Sequence, residues 1–80
     1  MEVEMDISLY AMGPTTVVHP VHDFIQVLRD HDCKVENTSM SLVVTGDSKR
    51  VFDALRIGYE TAAEKGGCVL IVKACNVCQL

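Results

Sequence analysis

The sequence carries little positive charge and has no long apolar run. Only 7 Lys and Arg residues stand against 11 Asp and Glu in the 80-residue chain, which gives a net charge of −4. Nucleic-acid-binding proteins cluster Lys and Arg against the phosphates, so this balance argues against a nucleic-acid partner. No stretch reaches the ~18 consecutive apolar residues of a membrane span. The first residues are acidic, whereas a signal peptide begins basic and then apolar. We therefore expect a cytoplasmic protein with no membrane partner.

The chain also lacks the motifs that identify common enzyme sites. It contains no GxxxxGK phosphate-binding loop, no HExxH zinc motif and no nucleophile elbow. Its cysteines and histidines have no partner at a spacing typical of nucleophilic catalysis. We therefore expect no catalytic residues, no cofactor and no enzymatic activity.

Cysteine is present but does not form a recognisable metal motif. The cysteines are Cys33, Cys68, Cys75 and Cys78. In a cytoplasmic protein we expect them to be thiols. A zinc site needs about four ligands, and the histidines at positions 19, 22 and 31 do not complete the CxxC of Cys75 and Cys78 at a suitable spacing. We expect no metal, and a thiol-metal domain using these two cysteines is the least favoured alternative.

The first half of the chain predicts a strand followed by a helix. Apolar residues alternate with polar ones over residues 2–11, which indicates a strand. After a Gly-Pro turn, Pro20 suits the first turn of a helix that ends near residues 31–32. Helical spacing predicts that this helix buries Val21, Phe24, Ile25 and Leu28.

The second half predicts two strands, a helix and a last strand. The strands are expected over residues 34–38 and 40–45, the second with its core set at Met40, Leu42 and Val44. Asp47 or Ser48 is a suitable N-cap for the helix, and Gly66-Gly67 ends it. The stripe predicted to be buried is Val51, Phe52, Leu55, Tyr59, Ala62 and Ala63. Residues 68–77 are the last predicted strand.

This order predicts one ferredoxin-like α+β domain over residues 1–80, with the βαββαβ arrangement. In that fold a four-stranded antiparallel sheet carries two helices on one face, and its other face is bare. A lone domain of this size buries only about 60% of its unfolded surface, so association with another sheet is a reasonable source of stability.

The bare face is predicted to combine apolar and hydroxyl side chains. If Ile7 and Leu9 point at the helices, Ser8, Tyr10 and Met12 point away from them. Ser41, Val43 and Thr45 are expected on the same face. Such a surface is too apolar for plain solvent and too polar for an ordinary core. It favours a self-association interface that holds a few directed hydrogen bonds.

Two stretches carry a resemblance to a known family. ISLYAM at residues 7–12 resembles the first-strand motif of the YkoF-like thiamine and hydroxymethylpyrimidine-binding proteins, with Ala11 where that family often has Pro. SMSLVVTGDSKRVFDALRIGYETAAEKG resembles the family's third strand, turn and second helix. The resemblance implies a non-catalytic binding protein linked to thiamine salvage or transport. It also implies domains that associate through their sheets, which favours a homodimer or homotetramer here.

The resemblance also suggests site residues. Ser8, Tyr10 and Met12 match the first-strand motif, and Ser41 matches the third strand. An aminopyrimidine has a hydrogen-bonding edge and a flat apolar face. Ser8, Ser41, Thr38 and Asn76 are candidates for the edge, and Tyr10 and Met12 are candidates to hold the ring between them. The alternative for Ser8 and Ser41 is a cross-strand hydroxyl pair within an oligomer interface.

Two functions from different classes therefore stay open besides the thiol-metal alternative. The favoured one is binding of thiamine or its hydroxymethylpyrimidine moiety in a sheet-packed homo-oligomer. The other is a regulatory or structural oligomerisation module whose bare face only packs.

Overall fold

The computed structural model describes residues 1–12 and 20–76, and it contains the predicted elements in the predicted order. They are β1 (Glu2–Ala11), α1 (Pro20–Asp30), β2 (Lys34–Asn37), β3 (Leu42–Asp47), α2 (Ser48–Ala63) and β4 (Cys68–Cys75). In the part of the chain that the structure describes, neither helix has the length and apolar character needed to cross a bilayer.

The strands form one antiparallel sheet in the order β2-β3-β1-β4. β1 therefore lies at the centre, hydrogen-bonded to β3 on one side and to β4 on the other. The helices pack against each other and against one face of the sheet. This is the ferredoxin-like α+β fold, as the order of elements predicted.

The core lies between the sheet and the helices, and β1 supplies its centre. Val3, Met5 and Ile7 alternate along β1 and are buried, while the residues between them face away. β1 can alternate so regularly because one face of the sheet is sealed and the other is open. The other fully enclosed large side chains are Phe24, Leu28, Val44 and Val51.

The start of β3 differs from the prediction. Leu42 and Val44 are buried as expected, but Met40 is 87% exposed and lies before the strand, which begins at Leu42. The reason is a tight turn in which the amide of Thr38 donates to the carbonyl of Ser41 over 2.9 Å. This turn takes Met40 out of the alternation, so the prediction that it belongs to the core was wrong.

The buried face of α2 also differs from the prediction. Val51, Ala54, Gly58 and Ala62 are buried, whereas Phe52 is 51% exposed and Tyr59 and Ala63 are exposed. The expected stripe followed the largest apolar residues, but α2 turns its small residues inward because α1 lies against it. A Cβ on Gly58 would be 2.8 Å from Cδ1 of Phe24, so the ring occupies the space that a side chain would need.

We predict that Gly58→Ala destabilises the protein. Overpacking against the buried Phe24 ring costs about 1–3 kcal/mol, which outweighs the ~1 kcal/mol that Ala gains over Gly inside a helix. Urea unfolding measures the loss. Gly67→Ala is the matched control, because its Cβ would be 3.8 Å from the nearest side-chain atom, which is ordinary contact. A Gly58→Ala variant more stable than the original chain would contradict this packing.

Candidate functional site: a notch beside the central strand

The bare face of the sheet is half apolar and half polar, as predicted. Cross-strand pairing places Ser8 beside Ile71, and Tyr10 beside Val69. Tyr10 is 52% and Ile71 53% exposed, and Val69 is also exposed. These side chains are neighbours on one face, unlike apolar residues scattered singly over a surface. The last strand therefore contributes apolar surface to this face, as the first does.

A notch opens where β3 stops and β1 continues. The pairing between β1 and β3 ends at Ile7 and Leu42, whereas β1 pairs with β4 as far as Ala11 and Cys68. Beyond Ile7, β1 therefore has a strand partner on one side only. The turn between β2 and β3 lies across from this free edge, and the space between them is a pocket.

The pocket has a volume of about 170 Å³ and collects most of the predicted ligand-binding residues. Ser8, Tyr10, Thr38 and Ser41 all line it. The rest of the lining is Asn37, Met40 and apolar side chains from the core side, Val21 of α1 among them. Hydroxyl groups from β1 and from the turn between β2 and β3 thus meet beside a half-exposed aromatic ring.

Thr38 serves the turn and not the pocket. Its hydroxyl donates to the carbonyl of Ser41 over 2.8 Å and accepts the amide of Ser41 over 2.9 Å. It also accepts the amide of Met40 over 3.3 Å. A hydroxyl has one proton and two lone pairs, so these bonds occupy all of them. Thr38 therefore holds Ser41 in place, and a direct hydrogen bond to a ligand would have to break the turn.

We predict that Thr38→Val weakens the turn while Thr38→Ser preserves it. Val has the shape of Thr without the hydroxyl, and the loss of these hydrogen bonds at an exposed turn costs about 1 kcal/mol. Chemical denaturation measures the difference, and hydrogen exchange of the Ser41 amide locates it. Equal stability of the Val and Ser variants would show that the hydroxyl does not hold the turn.

Ser41 donates its hydroxyl proton to Oδ1 of Asp6. Asp6 lies on the bare face of β1, with Val43 beside it on β3 and Lys73 beside it on β4. The Lys73 ammonium is 3.8 Å from Oδ2 of Asp6. Asp6 is not among the site residues predicted from the sequence. The alternation that places Ser8 on the bare face places Asp6 there too, so the signal was available.

Met12 and Asn76 do not join this group. Asn76 follows Cys75, which pairs with Glu4, so it lies roughly 17 Å from Ser8 along the sheet at about 3.4 Å per residue. Its amide nitrogen is 3.9 Å from the sulfur of Met1. Met12 is exposed, and its amide donates to the carbonyl of Gly67 over 2.8 Å. The structure brings neither residue to the pocket.

The cysteines are only partly as expected. Cys33 and Cys68 are free thiols, and burial raises the pKa of Cys33. Cys75 is disulfide-bonded, which corrects the expectation of a thiol there and removes its thiolate as a metal ligand in this structure. Cys78 lies outside the described residues. Among the residues that the structure describes, no three His, Cys, Asp or Glu side chains are grouped to hold a metal ion.

A second, more charged depression of about 340 Å³ lies at the start of α2. Its carboxylates already have partners: the Met1 amine is 3.1 Å from Asp47, and Lys49 is 2.9 Å from Asp53. The hydrogen bonds from these cations lower the pKa of both carboxyl groups. Because these carboxylates are already paired, we interpret the depression as ordinary charged surface at the start of α2. The notch is the stronger candidate site.

The fold and the notch define a class: a small ferredoxin-like domain with an open sheet face and a partly hydroxyl-lined pocket at the free edge of its central strand. The chain belongs to the YKOF-related family, whose sequence profile matches residues 2–77. No curated protein matches it.

Solved structures share the fold at low identity. A hypothetical protein of Methanocaldococcus jannascii is 23% identical with a TM-score of 0.85, and the match covers 99% of this chain and 84% of that one. A Streptococcus pneumoniae protein is 14% identical with a TM-score of 0.83, covering 94% and 86%. A proposed thiamine biosynthesis or salvage protein of Thermotoga maritima is 15% identical with a TM-score of 0.63, covering 92% and 82%.

Proposed function

We propose that this protein binds thiamine, or the hydroxymethylpyrimidine moiety of thiamine, in the cytoplasm without transforming it, as part of thiamine salvage or transport. The observation that carries the proposal is the pocket in which Ser8 and Ser41 meet the ring of Tyr10. Family membership and the similarity to the Thermotoga maritima protein support the same ligand.

The groups around the pocket suit an aminopyrimidine. Ser41 gives its proton to Asp6, so its lone pairs stay available to accept an N–H from the ligand's amino group. The hydroxyl of Ser8 is able to donate to a ring nitrogen. The ring of Tyr10, half exposed at the rim, offers a flat apolar face for stacking.

A lack of catalysis fits the same lining. Among the described residues that line the pocket, none is a histidine, cysteine, lysine or carboxylate. A serine nucleophile needs an adjacent base, and the lining supplies none to Ser8. The Ser41 hydroxyl is hydrogen-bonded to the Asp6 carboxylate, with no histidine among the lining residues to act as the base. The pocket is therefore suited to recognising a ligand and not to activating it.

The size of the pocket favours a site completed by a second copy of the chain. Ligand pockets are usually about 300–1,000 Å³, and the notch is about 170 Å³. The notch lies across β1 from β4, whose exposed Ile71 is on the same face as Ser8 of the lining, and a second sheet over this face would cover both. We propose a homodimer or homotetramer packed through the sheet face.

We expect excess thiamine or hydroxymethylpyrimidine to raise the unfolding temperature of the chain and to have little effect on Tyr10→Ala. A ligand at 100 times its Kd stabilises a protein by about 2.7 kcal/mol. Differential scanning calorimetry measures this shift. Phe52→Ala is the control, because Phe52 has a similar exposure, 51%, but lies in the helical layer. Absence of any shift at saturating concentrations of both compounds would refute the vitamin-binding proposal.

The exposed apolar groups of β4 also favour a second candidate, an oligomerisation module without a vitamin ligand.

Whether or not the oligomer binds a vitamin, Ile71→Lys should shift the chain toward the monomer, since it places a charge in the proposed contact between sheets. Analytical ultracentrifugation measures the change, with Phe52→Lys as the matched control on the other layer. An oligomer that resists Ile71→Lys and breaks with Phe52→Lys would assign the interface to the helices. An oligomer that binds neither compound would favour the module.

A further inference from the structure

Asp6 is an unusual residue for its position. Aspartate is depleted in strands, yet Asp6 lies on the central strand between the apolar Val43 and the edge strand's Lys73. Its side chain is 44% exposed on the open face. It is also joined through Ser41 to the pocket. A carboxylate is thus fixed next to the proposed ligand site.

The two oxygens of Asp6 differ in how well they are partnered. Oδ1 accepts the hydroxyl of Ser41, which fixes the orientation of the carboxylate. Oδ2 faces the Lys73 ammonium at 3.8 Å, which is too long for a hydrogen bond. Lys73 is 81% exposed, so its side chain is free to swing into solvent. Exposed pairs of this kind hold weakly, and a ligand cation is able to replace this one.

The surrounding charge also favours a cation. Acidic groups outnumber basic ones on this face of the strands: Glu2, Glu4, Asp6, Glu36 and Asp47 against Lys34, Lys73 and the Met1 amine that pairs with Asp47. Such an excess raises the local concentration of cations. Tyr10 lies four residues after Asp6 on β1, on the same face of the sheet. Its half-exposed ring offers a π face to the same ligand.

We infer that Asp6, oriented by Ser41, is the anionic group that recognises a positively charged heteroaromatic ring, and that Lys73 is the resident counter-ion which that ring displaces. The inference rests on the proposed function and deepens it. The site prefers thiamine, whose thiazolium is a permanent cation, over neutral hydroxymethylpyrimidine. Asp6 supplies that preference.

The test compares both compounds by titration calorimetry at mildly alkaline pH. Asp6→Asn keeps the shape and leaves an oxygen to accept the Ser41 hydroxyl, so the fold survives. It should weaken thiamine binding by about tenfold and hydroxymethylpyrimidine binding much less. Lys73→Met should tighten thiamine binding and leave the neutral compound unchanged. Glu4→Gln, on the same face of the same strand, is the control for loss of one charge.

The outcomes separate this inference from the proposed function. A selective loss of thiamine binding in Asp6→Asn, absent in Glu4→Gln, supports it. An equal loss for both compounds overturns it, because Asp6 then serves the pyrimidine and not the cation. Unchanged binding of both in Asp6→Asn also overturns it. If the original chain binds neither compound, the proposed function itself fails.

Discussion

The structure depends on one constraint: β1 pairs with β4 over more of its length than it pairs with β3. β1 runs from Glu2 to Ala11 and pairs with β4 as far as Ala11, but with β3 only as far as Ile7. The same alternation seals Met5 and Ile7 under the helices and opens Ser8 to the other face. The core and the notch are therefore products of one strand. A shift of its register by one residue would exchange the two faces and destroy both.

Strands were more predictable than the packing of helices. The bounds of β1 and the start of α1 at Pro20 follow from alternation and from proline, and both match the structure. The buried face of α2 could not be predicted in the same way, because hydrophobicity alone predicts that Phe52 is buried in preference to Gly58. Contact between α1 and α2 reverses that preference, since a close approach needs small residues where Phe24 lies. The sequence of α2 alone does not indicate how closely α1 will pack against it.

The site was predictable to the extent that it follows alternation. Ser8 and Tyr10 reach the pocket because β1 alternates, and Ser41 reaches it from the turn just before β3. Thr38 reaches it as part of a turn whose hydrogen bonds only the folded hairpin reveals. Asn76 was misplaced because an antiparallel partner runs away from the end of β1 where the pocket lies. Residue types suggested ligand chemistry, but strand direction decided which of them meet.

The acidic group on the open face constrains how that face is covered. If a second sheet packs over it, Asp6 loses solvent, and a desolvated carboxylate costs several kcal/mol unless it is paired. The Ser41 hydroxyl and the Lys73 ammonium at 3.8 Å compensate only part of that cost. A sheet-packed oligomer must therefore leave water beside Asp6 or hold a cation there. In the second case the ligand stabilises the assembly and the assembly tightens the ligand by the same factor, because coupling between binding events is reciprocal. Assembly and recognition would then be one equilibrium, centred on a carboxylate that an ordinary strand would not carry.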